Sequence, residues 1–180
     1  MSTGDRVRYL YLAYFSKPKR DRILFRAIGS RPTRKILEIG LGSAQRTLRL
    51  IDLAARASGD PVRYAAIDLF EARAAGRGEC LSLKEAHCLF KSSKAHVQLI
   101  PGDPALTLRR SANSLQNMDL VIVNHENPAE WLGEGWFYLP RMLHEASKVY
   151  FDQPTAETPV LVPRAEIETR AAGCRPRRAA

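Results

Sequence analysis

Cysteine is scarce in this sequence: Cys80, Cys88 and Cys174 are the only three in 180 residues, and no two form a CxxC pair. An odd number of isolated thiols excludes a disulfide framework and a thiolate zinc site, and predicts reduced side chains in the cytoplasm. Histidine is nearly as rare. Of the four, His87, His96 and His144 lack the close spacing of metal ligands and read as structural. Long apolar runs are missing too, since none approaches the roughly 18 residues that a membrane-spanning helix needs. The early run Tyr9 to Phe15 is followed at once by Ser16-Lys17-Pro18-Lys19-Arg20 with no small-residue cleavage site, so no signal peptide is expected. What remains is 45 % hydrophobic and 26 % charged, a globular composition that excludes wholesale disorder. The length suits one domain.

The formal charge of +9 is the one unusual bulk property, and it is unevenly placed. Residues 1–37 carry ten lysines and arginines against Asp5 and Asp21, a net +8. Residues 38–152 come to −1 and residues 153–180 to +2. A basic terminal segment is either a solvated helix face or an electrostatic footprint for a polyanion such as nucleic acid. The middle of the chain is near neutral and must be read from its motifs.

Helix and strand patterns alternate along that middle. Val7, Leu10/Tyr11 and Tyr14 fall at helical spacing, Pro18 interrupts, and Leu24, Ala27 and Ile28 resume it before a stop at Gly29 and Pro32. A buried-type strand over 35–39 runs into Gly40-Leu41-Gly42, and Leu48, Ile51 and Ala55 mark the helix behind it. Further strands are expected over 62–68, 96–100, 118–124 and 148–151. Residues 71–80 read as an irregular loop, Leu83, Ala86 and Phe90 as one helix face, and a short helix carries Leu106 and Leu108. Trp136 to Ala146 is expected to be helical. Met118 to Asn124 is the clearest strand, because consecutive apolar residues imply burial on both faces. Strands alternating with helices predict an open, mostly parallel, Rossmann-like α/β sheet with helices on both faces.

Such sheets bind ligands outside the carboxyl ends of their strands, where the strand order reverses. Each expected strand ends in a group suited to that edge. The first ends in Glu38-Ile39-Gly40-Leu41-Gly42, whose glycines permit a sharp turn and a close approach. The second ends in Asp68, the third in Gly102-Asp103, and the fourth in Asn124-His125-Glu126. A dinucleotide would require GxGxxG at a helix N-terminus, but Gln45 stands at the third glycine position and no Tyr-x-x-x-Lys pair exists, which disfavours a nicotinamide-dependent oxidoreductase.

Four segments in series, Leu37-Glu38-Ile39-Gly40-Leu41-Gly42-Ser43-Ala44, Ala66-Ile67-Asp68, Pro101-Gly102-Asp103-Pro104-Ala105 and Asp119-Leu120-Val121-Ile122-Val123-Asn124, resemble the motifs of class I S-adenosylmethionine-dependent methyltransferases. The resemblance spans residues 35–124, with Ala44 in place of a usual third glycine. It implies S-adenosyl-L-methionine as cofactor, with Glu38, Gly40 and Gly42 on the methionine part and Asp68 on the ribose. Leu69 would lie against the adenine, Asp103 at the adenine amino group, and the backbone at Asn124 by the methionine amine. It also implies a domain over residues 35–170 that binds this cofactor, behind a basic helical cap (1–34) and ahead of a frayed basic tail (171–180).

Within the class, O-methyltransferases of the catechol and caffeoyl-CoA kind look nearest. Their metal positions correspond to Asn124, Asp152 and Gln153, where two carboxylates have become one, so no metal is expected and these three are weak candidates only. His125, one residue past the fourth strand, is the candidate base. Asn127-Pro128-Ala129-Glu130-Trp131 faintly resembles the NPPY signature of amino-group methyltransferases but lies three residues late. Trp131, Trp136, Phe137 and Tyr138 suit either an acceptor wall or helix packing. After residue 152, Val160 to Val162 and Ala165 to Glu168 are read as one or two strands, with no room for a full helix. That gives a shortened sheet edge and a route to a homodimer. The expected function is methyl transfer to an unidentified acceptor, such as a small-molecule hydroxyl. The alternative is a non-catalytic relative that binds nucleic acid or a protein through its basic N-terminus.

Overall fold

The strands form where apolar residues alternate between two faces that both need cover. The computed structural model describes residues 3–72 and 81–174. Its sheet contains β1 (Lys35–Ile39), β2 (Val62–Asp68), β3 (Ala95–Pro101), β4 (Met118–Asn124), β5 (Leu143–Asp152) and β6 (Val160–Val162). Their order is β3-β2-β1-β4-β5-β6, parallel except for β6, which pairs antiparallel with β5. The order reverses between β1 and β4, so a crevice opens at their carboxyl ends. This is the open, Rossmann-like sheet the pattern predicted.

Ile36, Tyr64 and Ile122 point to one face, where α2 (Arg22–Gly29) and α3 (Ala44–Ser58) cover them with Leu24, Phe25, Ile28, Leu50 and Ile51. Leu37, Ile39, Val121 and Val123 point to the other. There α5 (Pro104–Ser111), α6 (Pro128–Leu132) and α7 (Leu139–Met142) pack with Leu108, Leu132 and Met142. The first face also takes α4 (Leu83–Phe90), which begins at a capping box of Ser82 and Glu85. The basic cap is therefore part of the core, because α2 is one wall of it.

At the N-terminus, α1 (Thr3–Leu10) continues into a π-type turn over Tyr11–Phe15 and forms as its spacing predicted. The turn buries Leu12 and Ala13, and leaves the apolar stripe Val7, Leu10, Tyr11 and Tyr14 exposed.

Two expectations are corrected. The helix expected over 136–146 stops at Met142 and β5 begins at Leu143. A bulge there is held by local bonds: Ser147 Oγ donates to the Met118 carbonyl and accepts from the His144 amide, each at 2.7 Å. The strand expected over 165–168 is instead the helix α8 (Arg164–Gly173). Its Arg164–Glu168 and Glu166–Arg170 pairs sit one turn apart at 2.8 and 2.7 Å, and Ile167 and Ala171 are the buried face. Residues 73–80, including Cys80 and most of the loop expected over 71–80, lie outside the described residues, as do 175–180 of the tail.

Because Phe25 is fully buried between cap and sheet, Phe25→Ala is expected to lower the unfolding free energy by about 3–5 kcal/mol in denaturant titration. A loss under about 1 kcal/mol would show that the cap does not share the core.

Candidate functional site

Glu38 lies inside β1 with no exposed surface, and a carboxylate so placed must be paired and hydrogen-bonded. Its neighbours are supplied by three elements. Tyr64 OH from β2 donates to Oε2 at 2.8 Å and Thr47 Oγ1 from α3 at 2.7 Å. Oε1 accepts from Arg46 Nη2 at 2.9 Å, from Asn124 Nδ2 at 2.8 Å, and from the Gly42 amide at 3.3 Å. Burial, and then the Glu38 charge, push the Tyr64 hydroxyl well above its ordinary pKa.

Arg46 is not singled out from the sequence. It stands in the first turn of α3 and is almost wholly buried. Its guanidinium bridges Glu38, the Asn124 side-chain oxygen at 2.8 Å and Asp152 at the end of β5. Burial alone would lower its pKa, but Glu38, Asp152 and Asp21 more than offset this and hold it above the ordinary range. Among the described residues, the buried Arg46 Nε has no hydrogen-bond partner. A cation in the first turn of a helix opposes the helix dipole, and that mismatch was the available signal that Arg46 answers nearby carboxylates.

The two glycines serve this network. Gly40 has φ +76°, and a Cβ there would lie 2.5 Å from the Asn124 carbonyl and 3.0 Å from the Trp131 ring. A Cβ on Gly42 would lie 2.6 Å from Arg46 Nη2. Asn124 Nδ2 also donates to the Gly40 carbonyl at 2.5 Å, so the Asn124 side chain is part of this network.

Along the same edge, Asp68 is buried at the end of β2, taking the Leu41 amide on one oxygen and the Phe70 amide at 2.7 Å on the other. Leu69 beside it is half-buried. Asp103 is exposed and caps α5 by accepting from the Leu106 amide at 3.1 Å. His125 stacks on Trp131 at 4.5 Å between ring centroids, and its Nδ1 accepts from the Asn127 amide at 3.1 Å. Of the other aromatics, Trp136 belongs to the core, while Phe137 and Tyr138 pack with Arg141.

The positions considered for a metal are held by arginine. Asp152 pairs with Arg46 and, at 2.5 Å, with Arg20, which also donates to the Gln153 and Pro154 carbonyls at 2.6 and 3.1 Å. Gln153 Nε2 donates to the Glu126 carbonyl at 3.1 Å. Two guanidinium groups thus supply the positive charge on the Asp152 carboxylate.

Beside this network opens a cleft of about 270 Å³, bordered by Arg20, Asp21, Gly42, Arg46, Arg49 and Asp152. It lies at the strand-order reversal. A smaller cleft of about 190 Å³, with Lys35, Arg63 and His96, sits at the opposite end of the sheet.

No protein-family profile and no curated protein matches this chain. Solved structures do. The O-methyltransferase TomG from Streptomyces achromogenes, in complex with S-adenosylmethionine, is similar with a TM-score of 0.53 and 15 % identity over 97 % of this chain and 76 % of that one. An O-methyltransferase from Bacillus cereus, in complex with S-adenosylhomocysteine, gives 0.51 and 14 % over 84 % and 66 %. Cofactor-bound Rv0187 from MTB gives 0.50 and 14 % over 96 % and 76 %. The chain has the fold of the S-adenosylmethionine-dependent methyltransferases. It spans only 39 % and 44 % of the length of two other matched methyltransferases, from Streptococcus mutans and Agrobacterium tumefaciens.

On this methyltransferase fold, Asp21 is the odd carboxylate. Burial raises its pKa above the ordinary 3.8, with Arg46 pulling the other way. The folded chain therefore holds that proton more tightly than the unfolded chain. Wild-type stability falls as pH rises from 3.8 through the folded pKa, a loss that asparagine does not share. The stability of Asp21→Asn relative to wild type is expected to grow over that window in urea titrations. A difference flat with pH would contradict the assignment.

Proposed function

We propose that this chain is an S-adenosylmethionine-dependent methyltransferase whose acceptor is the hydroxyl of a small molecule. The observation that carries the reading is the buried Nε–H of Arg46, which lacks a hydrogen-bond partner among the described residues and belongs to a guanidinium packed against the glycine turn. That donor suits the carboxylate of an amino-acid group. The rest of the edge suits the remainder of the cofactor. Asp68, fixed at the end of β2 by the Leu41 and Phe70 amides, is an acceptor at the position suited to a ribose diol. Leu69 offers an apolar face for adenine, and Asp103 an acceptor for its amino group. Glu38 and Asn124 give negative and polar character to the place of a cationic amine.

When bound, the cofactor supplies an electrophilic methyl group on a sulfonium. The chain's task is then positioning, since methyl transfer is an in-line displacement accelerated mainly by holding donor and acceptor together. Arg46, fixed by Glu38, Asn124 and Asp152, sets the floor of the cleft. Arg20 ties the cap to the end of β5 and closes its side. The Asn127 amide on Nδ1 of His125 keeps the ring proton on Nε2. His125 is thereby fixed in orientation against Trp131, and we assign it an orienting role in place of the general-base role suggested by its position.

Isothermal titration with S-adenosylhomocysteine should show saturable binding. Asp68→Ala should weaken it about tenfold to a hundredfold, the effect of losing hydrogen bonds to a charged group. Because arginines already neutralise Asp152, a chelator should leave the affinity unchanged. Absence of binding at about millimolar ligand would sink the proposal.

A further inference from the structure

Two ionisable side chains on the cleft are not spent on hydrogen-bonded ion pairs. Asp21 is only 5 % exposed, and among the described residues its carboxylate receives no hydrogen bond. Its sole ion pair is with Arg46 at 3.8 Å, beyond hydrogen-bonding distance. Arg49 lies three residues after Arg46 on the same face of α3, and its guanidinium makes one bond, to the Lys17 carbonyl at 3.2 Å. It meets no carboxylate among the described residues. Every other charge on the cleft wall is consumed: Arg20 and Arg46 by Asp152, and Arg46 again by Glu38. A buried carboxylate without a donor and a guanidinium with donors to spare, bordering one cleft, are complementary to a ligand carrying one hydroxyl and one carboxylate.

We propose that the methyl acceptor is a hydroxy-carboxylic acid, with its carboxylate on Arg49 and its hydroxyl on Asp21, which takes the hydroxyl proton. This rests on the methyltransferase reading above and names the acceptor class of the same site. The step balances. The acceptor oxygen forms a bond to the methyl carbon, the sulfonium–methyl bond breaks to leave a neutral thioether, and the hydroxyl proton passes to the Asp21 carboxylate. Arg20, Arg46, Arg49 and Asp152 are the charged groups facing Asp21; burial raises its pKa, which suits a group that takes a proton, and the three cations oppose that rise. Arg49 also borders a second cleft of about 370 Å³ with Tyr11, Phe15 and Lys17. Tyr11 is 59 % and Phe15 70 % exposed, and their rings give that cleft room and apolar surface for an aryl substituent of the acceptor.

The test uses the full chain saturated with S-adenosylhomocysteine and three related probes: mandelate, mandelamide without the charge, and phenylacetate without the hydroxyl. Calorimetry should show mandelate binding about tenfold to a hundredfold more tightly than either analogue. Arg49→Gln should abolish the preference over mandelamide and keep the preference over phenylacetate. Asp21→Asn should do the reverse. Thermal unfolding of both variants confirms that they fold. If either preference is missing in the wild type, or survives in the variant meant to remove it, the proposal is overturned. The same holds if mandelate does not saturate at about 5 mM. Titration of S-adenosylhomocysteine alone separates the two ideas: its binding without mandelate binding overturns the acceptor class only, and its failure overturns the methyltransferase reading itself.

Discussion

A buried carboxylate in the central strand sets the terms for the rest of this molecule. Glu38 cannot be left unpaired inside β1, and its partners reach it from β2, β4 and α3. Meeting that demand places an arginine in the first turn of α3, requires a glycine where its guanidinium passes Gly42, and draws the end of β5 in through Asp152. Asp152 in turn recruits Arg20 and so fastens the cap over the crevice. Removing one partner of such a buried ion pair typically costs about 3–5 kcal/mol, because the other charge is stranded. The network therefore holds the cleft in shape while it lines it.

This arrangement gives the cap a chemical meaning. Its positive charge could be read as a footprint for nucleic acid, but the structure divides it. Arg20 is spent on Asp152, Arg8 on Asp52 at 2.8 Å, and Arg34 on Asp60 at 2.9 Å. Part of the basic excess thus fastens the cap to the sheet domain, and the same segment delivers Asp21 to the cleft wall. Cap and sheet, distinct in charge, are coupled at the site.

The fold was legible because strand burial leaves a strong imprint. Val121 to Val123 are apolar on both faces, as are Ile36, Leu37 and Ile39 around Glu38, and only a covered parallel sheet asks for that. The errors fell where local bonds outweighed pattern. Leu143 to Ser147 follow the bulge bonds of Ser147 rather than their helical spacing, and Ala165 to Glu168 follow pairs one turn apart rather than their alternation. At the site, the acids and glycines announced themselves by ending strands. Arg46, Arg20 and Asp21 did not, since each acts through a partner at least eight residues away, up to 132 for Arg20. A single sequence carries no mark of such pairs beyond the misfit of an arginine at a helix N-terminus.

The central claim is that the crevice between β1 and β4 receives a methyl donor through the Glu38–Arg46 network. Amide hydrogen exchange with and without S-adenosylhomocysteine tests it most directly. The account predicts slowed exchange confined to residues 40–47, 68–70 and 102–106, along the carboxyl edge of the sheet. Unchanged exchange there, or protection at the opposite edge around Lys35, Arg63 and His96, would contradict it.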